Sequence, residues 1–582
     1  MAISLIGVSS IAGIASSAQG TSIKFSASSI LSDPMPIKEY SVPLQNAGPE
    51  SIATASDGSF WIAEYKAGMI AHFFPSNGTF SQFSVPESRA LPTYITLDVS
   101  GRVWFSDQKD FGSIWMFDPS VLKFTQHSIP TPFSYPVGVL ADGQNNIWFA
   151  EDSGNKLGEL TYPSYYMEEF SLPNPNSGPA ELALQPGGVE LWVTESLGNR
   201  IARFDMVTHA FSEFLPYVLF NSPVGIVLDS MNNVWVSEHG GSSIVRFDPT
   251  TGSFTKFLTS PPDANSSYGN SAPATLAIDK LGRFWFVEHF SNRIGRFDPV
   301  TKSVDEFVIP SSGVYSVLSA IDEEGNFWFT EFDANKIGMV LGNASLPVDV
   351  RALGEAPSTT AGHTQTIYFK VSDKGPSDIG VRLSGASTFL QNAVTSASQV
   401  SLNVTSLSLT PGASVTVSAT FTPDSGTVPG SYSVGVSASY ADSSSIGIAS
   451  FSVTPTLINI LLFQTFPDLL AVAIILLVIA DLVIWKRIRN KKEPKERNAV
   501  RSLLFVVSLL VLLMFALSPV PPVMAKCPGL PGLGPSSSGP SYGGIILDAV
   551  ELFVTVVLAE VFIRSLREYR RQRREPNKAN AN

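Results

Sequence analysis

The 582-residue chain has one cysteine, Cys527, which excludes an intrachain disulfide framework and a cysteine-rich zinc site. Charge is scarce as well. Only 15% of residues are Asp, Glu, Lys or Arg, and 38 basic against 50 acidic residues leave a net charge of −12. A nucleic-acid binder needs a basic surface for its phosphate contacts, so this balance excludes one. At 44% hydrophobic residues the chain is too apolar to be disordered, and its length calls for several domains.

Long hydrophobic runs are missing from most of the chain and gathered at its end, in residues 457–485, 502–524 and 544–563. Each approaches the roughly 20 residues that cross a bilayer. Residues 486–501 carry eight Lys/Arg and two Glu, and the tail 564–582 carries seven Lys/Arg and two Glu. The Gly/Pro/Ser loop 525–543 has one Lys and no Arg. Positive residues stay cytoplasmic, so three transmembrane α-helices are expected, with the C-terminus inside and residues before 457 outside the cell membrane. Asp481, Asp548, Glu551 and Glu560 lie in or near these runs. Acids there are costly; they serve a membrane-protein partner or an ion path, or reach water and the basic flanks. Residues 1–20 read as a signal segment ending in small residues, although no Lys or Arg precedes it. Asn77, Asn265, Asn343 and Asn403 head N-x-[ST] glycosylation triplets, all before residue 457.

A repeat dominates the rest. Trp followed three residues later by an acid recurs at Trp61/Glu64, Trp104/Asp107, Trp148/Glu151, Trp192/Glu195, Trp235/Glu238, Trp285/Glu288 and Trp328/Glu331. The spacings between these tryptophans are 43, 44, 44, 43, 50 and 43. Each unit reads as four short strands with period-two alternation: a small-apolar strand, the Trp strand, an NRIGR-type strand and an SVDEFVIP-type strand. Four-stranded units at this period are blades, so residues 37–345 are expected to form a seven-bladed β-propeller. An orphan fourth-strand pattern at Ile37–Pro43 is expected to complete the last blade and leave no open edge. Residues 346–455, rich in Ser, Thr and Val, read as an immunoglobulin-like β-sandwich without its cysteines. The expected fold class is therefore mainly β: propeller, Ig-like sandwich, then three transmembrane α-helices.

The WFTE and NRIGR elements resemble the streptogramin B lyase (virginiamycin B lyase) family, over about half the chain. The resemblance implies a seven-bladed propeller that opens a cyclic depsipeptide antibiotic by elimination. It further implies a catalytic His just after a blade-start Pro, and Mg2+ held by a Glu two residues earlier together with the acid ending the next Trp strand. Here the residues at the His position are Glu50, Thr93, Val137, Ala180, Val224, Ala274 and Ser316, and none is His. Two residues earlier stand Gly48, Leu91, Tyr135, Gly178, Ser222, Ala272 and Val314, and none is acidic.

Only the Trp-strand acids Glu64, Asp107, Glu151, Glu195, Glu238, Glu288 and Glu331 persist, in every blade. A residue required seven times reads as structural, a carboxylate accepting N–H bonds from the adjacent turn; a functional ring of rim carboxylates is the alternative. His239 and His289 follow two of these acids. Adjacent strand residues face opposite ways, so Glu238–His239 and Glu288–His289 read as rim histidines, with a metal or general-base role as the alternative. Glu50 and Glu64 are a further candidate carboxylate pair. Residues 37–345 hold 17 Lys/Arg against 34 Asp/Glu, a field favouring cationic ligands. The expected function is an extracellular binding module for a protein, glycan or small ligand, with no assured cofactor. The alternatives are a rearranged, Mg2+-dependent lyase and a subunit of a membrane complex.

Overall fold

The computed structural model describes residues 37–454 apart from 110, 216–219, 260–270, 312–317, 355–357, 388–399, 424–429 and 442. Six four-stranded antiparallel sheets follow one another at residues 49–84, 92–128, 136–171, 179–214, 223–258 and 273–308; we number them blades 1 to 6. Blade 7 comprises Ser319–Ile321, Phe327–Glu331 and Lys336–Val340, with Ile37–Ser41 as its outermost strand, Ile37 opposite Val340 and Ser41 opposite Lys336. The first strand of each blade contacts the first strands of its neighbours, and blade 7 contacts blade 1, so the ring is closed.

The repeated tryptophan explains why the blades cohere. Trp61 packs into a core with Phe105 and Phe117 of blade 2, and Trp148 packs with Val193 and Phe204 of blade 4. Trp328 of blade 7 packs with Phe60 and Phe73 of blade 1. Each indole thus fills the interface with the next blade, and burying rings of this size supplies much of the ring's cohesion. An Asp in the preceding turn holds the indole: Trp104 Nε1 donates to Asp98 at 2.8 Å, Trp285 to Asp279 at 3.0 Å and Trp328 to Asp322 at 2.7 Å.

The NRIGR strand has its own logic. Asn155, Asn292 and Asn335 take left-handed φ values of 56°, 55° and 59°. Their side chains bond the loop entering the next blade, as when Asn335 Nδ2 donates to Val42 and Leu44 carbonyls and its Oδ1 accepts from Ala47 N. The motif glycine faces a phenylalanine across the ladder, Gly158 opposite Phe149 and Gly338 opposite Phe329. A Cβ on Gly338 would lie 2.1 Å from Phe329 Cζ.

Residues 348–454 pack one further four-stranded sheet and a set of strands continuous with blade 6 around one core that includes Val350, Phe369, Val417, Val434 and Phe451. The strand Ser443–Thr454 also pairs antiparallel with the outer strand Ser303–Val308 of blade 6, Ser303 opposite Gly447 and Glu306 opposite Ser444. The blade 6 edge is thereby covered by a continuous ladder rather than left open. Ile446 and Ile448 join the core of Trp235, Phe257 and Phe297.

The three transmembrane helices of the expected fold class are corrected. Among the described residues every regular element is a strand, and no helix is long and apolar enough to cross a membrane. The hydrophobicity of 457–485, 502–524 and 544–563 set that expectation; these runs, with Asp481, Asp548, Glu551 and Glu560, lie outside the described residues, as do residues 1–20 and Asn265. Asn77, Asn343 and Asn403 are exposed.

Candidate functional site

All seven Trp-strand acids are fully or almost fully buried, at 0 or 1% exposure. They reach along their own blade toward the third and fourth strands, and the residue they meet on the fourth strand differs from blade to blade. In blade 1 it is Gln82, whose Nε2 lies 2.8 Å from both oxygens of Glu64. In blade 2, Asp107 accepts from Leu91 N at 2.8 Å, Lys109 N at 3.0 Å and Trp115 Nε1 at 3.3 Å. In blade 5 it is Lys256, with Nζ 2.6 Å from Glu238, while Asn221 N and Ser243 Oγ also donate to that carboxylate.

In blades 3, 4, 6 and 7 the fourth strand supplies a second acid, Glu169, Glu213, Glu306 or Glu39, tied to a base on the third strand. Lys156 Nζ lies 2.9 Å from Glu169, Arg200 Nη1 3.1 Å from Glu213, Arg293 Nη1 3.3 Å from Glu306 and Lys336 Nζ 2.5 Å from Glu39. Burial, reinforced by the neighbouring carboxylate, pushes Glu151 and Glu331 up to about 8. Glu195 rises to about 7 and Glu288 well above the usual range, both chiefly through burial. Hydrogen bonds from Lys156 and Lys336, against opposing desolvation, leave Glu169 and Glu39 below the usual range. Burial thus favours the protonated form of the inner acid, while the outer acid is paired with the third-strand base. The backbone N–H bonds expected of them occur at Asp107 and Glu238, and Gln82 bonds Glu64; the carboxyl oxygens of Glu151, Glu195, Glu288 and Glu331 are buried without a hydrogen-bond partner among the described residues.

The residue after each acid reaches the rim where first strands begin and second strands end. Tyr65, Gln108, Asp152, Ser196, His239 and His289 each donate their N–H to the residue before the blade-start proline, for example His239 N to Ser222 O at 3.0 Å and His289 N to Ala272 O at 3.2 Å. In blades 1 to 3 this rim is acidic and aromatic. Burial raises Glu50 to about 8 and Asp152 to about 6, and burial, with smaller contributions from Tyr65, Glu50 and Asp152, pushes the Tyr135 hydroxyl up. Gln82 Nε2 occupies both oxygens of Glu64, so the expected Glu50/Glu64 carboxylate pair is not among the contacts that hold Glu64. Phe111 and Phe133, 60% and 66% exposed, lie against each other on this rim with centroids 5.0 Å apart.

On blades 5 and 6 the structure brings His239 and His289 together, Nε2 to Nδ1 at 3.0 Å, each 8% exposed. Two residues 50 apart in sequence meet because both occupy the same position of consecutive blades; superposing the repeats position by position would have revealed it. Glu238 and Glu288 point away from them, as the alternation of a strand requires. Among the described residues no group of three or more His, Cys, Asp and Glu side chains is placed to hold a metal ion.

The sequence model of the virginiamycin B lyase family matches residues 35–268. The propeller is virginiamycin B lyase-like. Similar solved structures include virginiamycin B lyase from Staphylococcus aureus, at 27% identity over 52% of this chain and 98% of that one, with a TM-score of 0.47. A streptogramin B lyase gives 27% identity over 52% and 96% at 0.47. A catalytically inactive variant of the Staphylococcus aureus enzyme with quinupristin gives 27% over 52% and 98% at 0.47. No curated protein matches the chain.

The residues of this lyase-like propeller do not fit the Mg2+ implied by the resemblance. Thr93, Val137, Ala180, Val224 and Ala274, at the His position, are buried on first strands and offer no imidazole. The positions before the prolines have no carboxylate, and the Trp-strand acids are buried inside their own blades, with no group of three His, Cys, Asp or Glu among the described residues placed to hold an ion.

Proposed function

We propose that the propeller is a binding module whose rim over blades 1 to 3 takes a ligand combining an aromatic ring with positive charge, such as a basic aromatic peptide. The observation carrying this reading is the exposed Phe111–Phe133 pair on the same rim as Glu50 and Asp152, carboxyls whose pKa burial raises. Exposed aromatic pairs supply large contact area at low entropic cost. A cation arriving at Glu50 and Asp152 restores the charge that desolvation suppresses, so binding releases protons and strengthens as pH rises from about 6 to 8.

The test is calorimetric titration of the full chain with amidated Lys-Phe-Lys and with amidated Glu-Phe-Glu as its charge-reversed control. The reading expects the basic peptide to bind, the acidic one not to, and Phe133→Ser or Glu50→Gln to weaken binding. Equal binding of both peptides, or none, contradicts it.

A further inference from the structure

We propose that His239 and His289 form a site for one divalent transition-metal ion, Cu2+ or Ni2+, bridging blades 5 and 6. Their main-chain bonds to Ser222 and Ala272 anchor both residues on the rim. Their rings stand at 75° with centroids 5.1 Å apart, and His239 Nε2 and His289 Nδ1 share a hydrogen bond at 3.0 Å whose proton the ion would displace. A metal–imidazole bond of about 2.0–2.1 Å puts nitrogens on adjacent corners of a square or octahedron about 2.9 Å apart, and those of a tetrahedron about 3.4 Å apart. The observed separation suits the right-angled arrangement, which Cu2+ and Ni2+ prefer with nitrogen and oxygen ligands.

The surroundings agree. Glu238 is held by Lys256 and Ser243, and Glu288 is buried beside Glu306 and Arg293, so neither acid competes for the ion. Phe290 packs edge-on to His239 with centroids 5.5 Å apart and walls one side. The residual exposure of each histidine gives the ion a route in, and water completes its coordination. This pair owes nothing to the blade-start positions at which the lyase resemblance puts its own site.

Full chain stripped with chelator and returned to chelator-free buffer is titrated with copper(II) chloride and followed by low-temperature EPR. One Cu2+ per chain with splitting from two nitrogens is expected. His239→Gln and His289→Gln should each weaken binding on the order of 10- to 100-fold or more and reduce the splitting to one nitrogen. His363→Gln, at an exposed histidine in the following domain, should change nothing. Should either rim variant not fold, the parent chain labelled with 15N-histidine still decides: Cu2+ is expected to broaden two of its six histidine signals first. Absence of a two-nitrogen signal, its persistence in both rim variants, or uniform broadening of all six histidines would leave the pair as a hydrogen bond between blades and overturn the proposal.

Discussion

Replacing Glu151 with Gln probes the buried carboxyl that blades 3, 4, 6 and 7 each place near a second acid. The Glu151 carboxyl is fully buried and titrates near 8 instead of 4.5, while Glu169 beside it stays ionised on Lys156. Between those two pH values the native state keeps a proton that the unfolded state has released. Its contribution is therefore fully present below pH 4.5 and drains away as pH rises to 8. At about 1.4 kcal/mol per pH unit the complete shift sets a ceiling of about 5 kcal/mol. Lys156 can relieve part of the charge once Glu151 ionises, so about 2–3 kcal/mol is expected. Gln keeps the shape and a donor toward Glu169 but does not titrate. In urea unfolding followed by tryptophan fluorescence, the stability difference between Glu151→Gln and the parent should move by that amount in the variant's favour from pH 5 to pH 9. Parallel pH dependences would refute the reasoning, because they would mean that Glu151 is ionised in the native blade.

Other outcomes follow from the same structure. Lys256→Ala leaves Glu238 buried without its cation and should cost about 3–5 kcal/mol in the same unfolding assay. Gly338→Ala drives a methyl into Phe329 and should cost about 1–3 kcal/mol. Adding Phe329→Val recreates the Val193/Ala202 pair of blade 4, so the double variant should lose less than the sum of the two single losses by at least about 0.5 kcal/mol. Asp279→Ala removes the acceptor of Trp285 Nε1 and of the Leu281 and Arg283 backbone N–H groups; a loss of about 2–4 kcal/mol is expected.

The blades were legible because the tryptophan and the acid each recur once per blade, and that recurrence writes a period into the chain. The turn N–H bonds read for all seven acids occur, among the described residues, at Asp107 and Glu238. What they bond to was not legible, since the decisive fourth-strand residue, Glu169 in blade 3 but Lys256 in blade 5, lies 18 positions after the acid and carries no motif. The meeting of His239 with His289 was hidden in the same way, as contacts between blades join residues a full repeat apart. The partner of Glu64 was hidden as well, because Gln82 is a neutral side chain that attracts no notice in the sequence. The helices expected from hydropathy rest on segments beyond the described β-structure. The ladder from Ser443–Thr454 onto blade 6 had no forewarning, because strand pairing between domains leaves no local pattern.

The central claim is that this lyase-like propeller binds at its rim without the lyase's chemistry. Incubating the full chain with a streptogramin B and Mg2+, and separating cyclic from linear antibiotic by chromatography, tests it most directly. Linear product no faster than in protein-free buffer is the predicted result. Mg2+-dependent linearisation that scales with protein concentration would contradict the account.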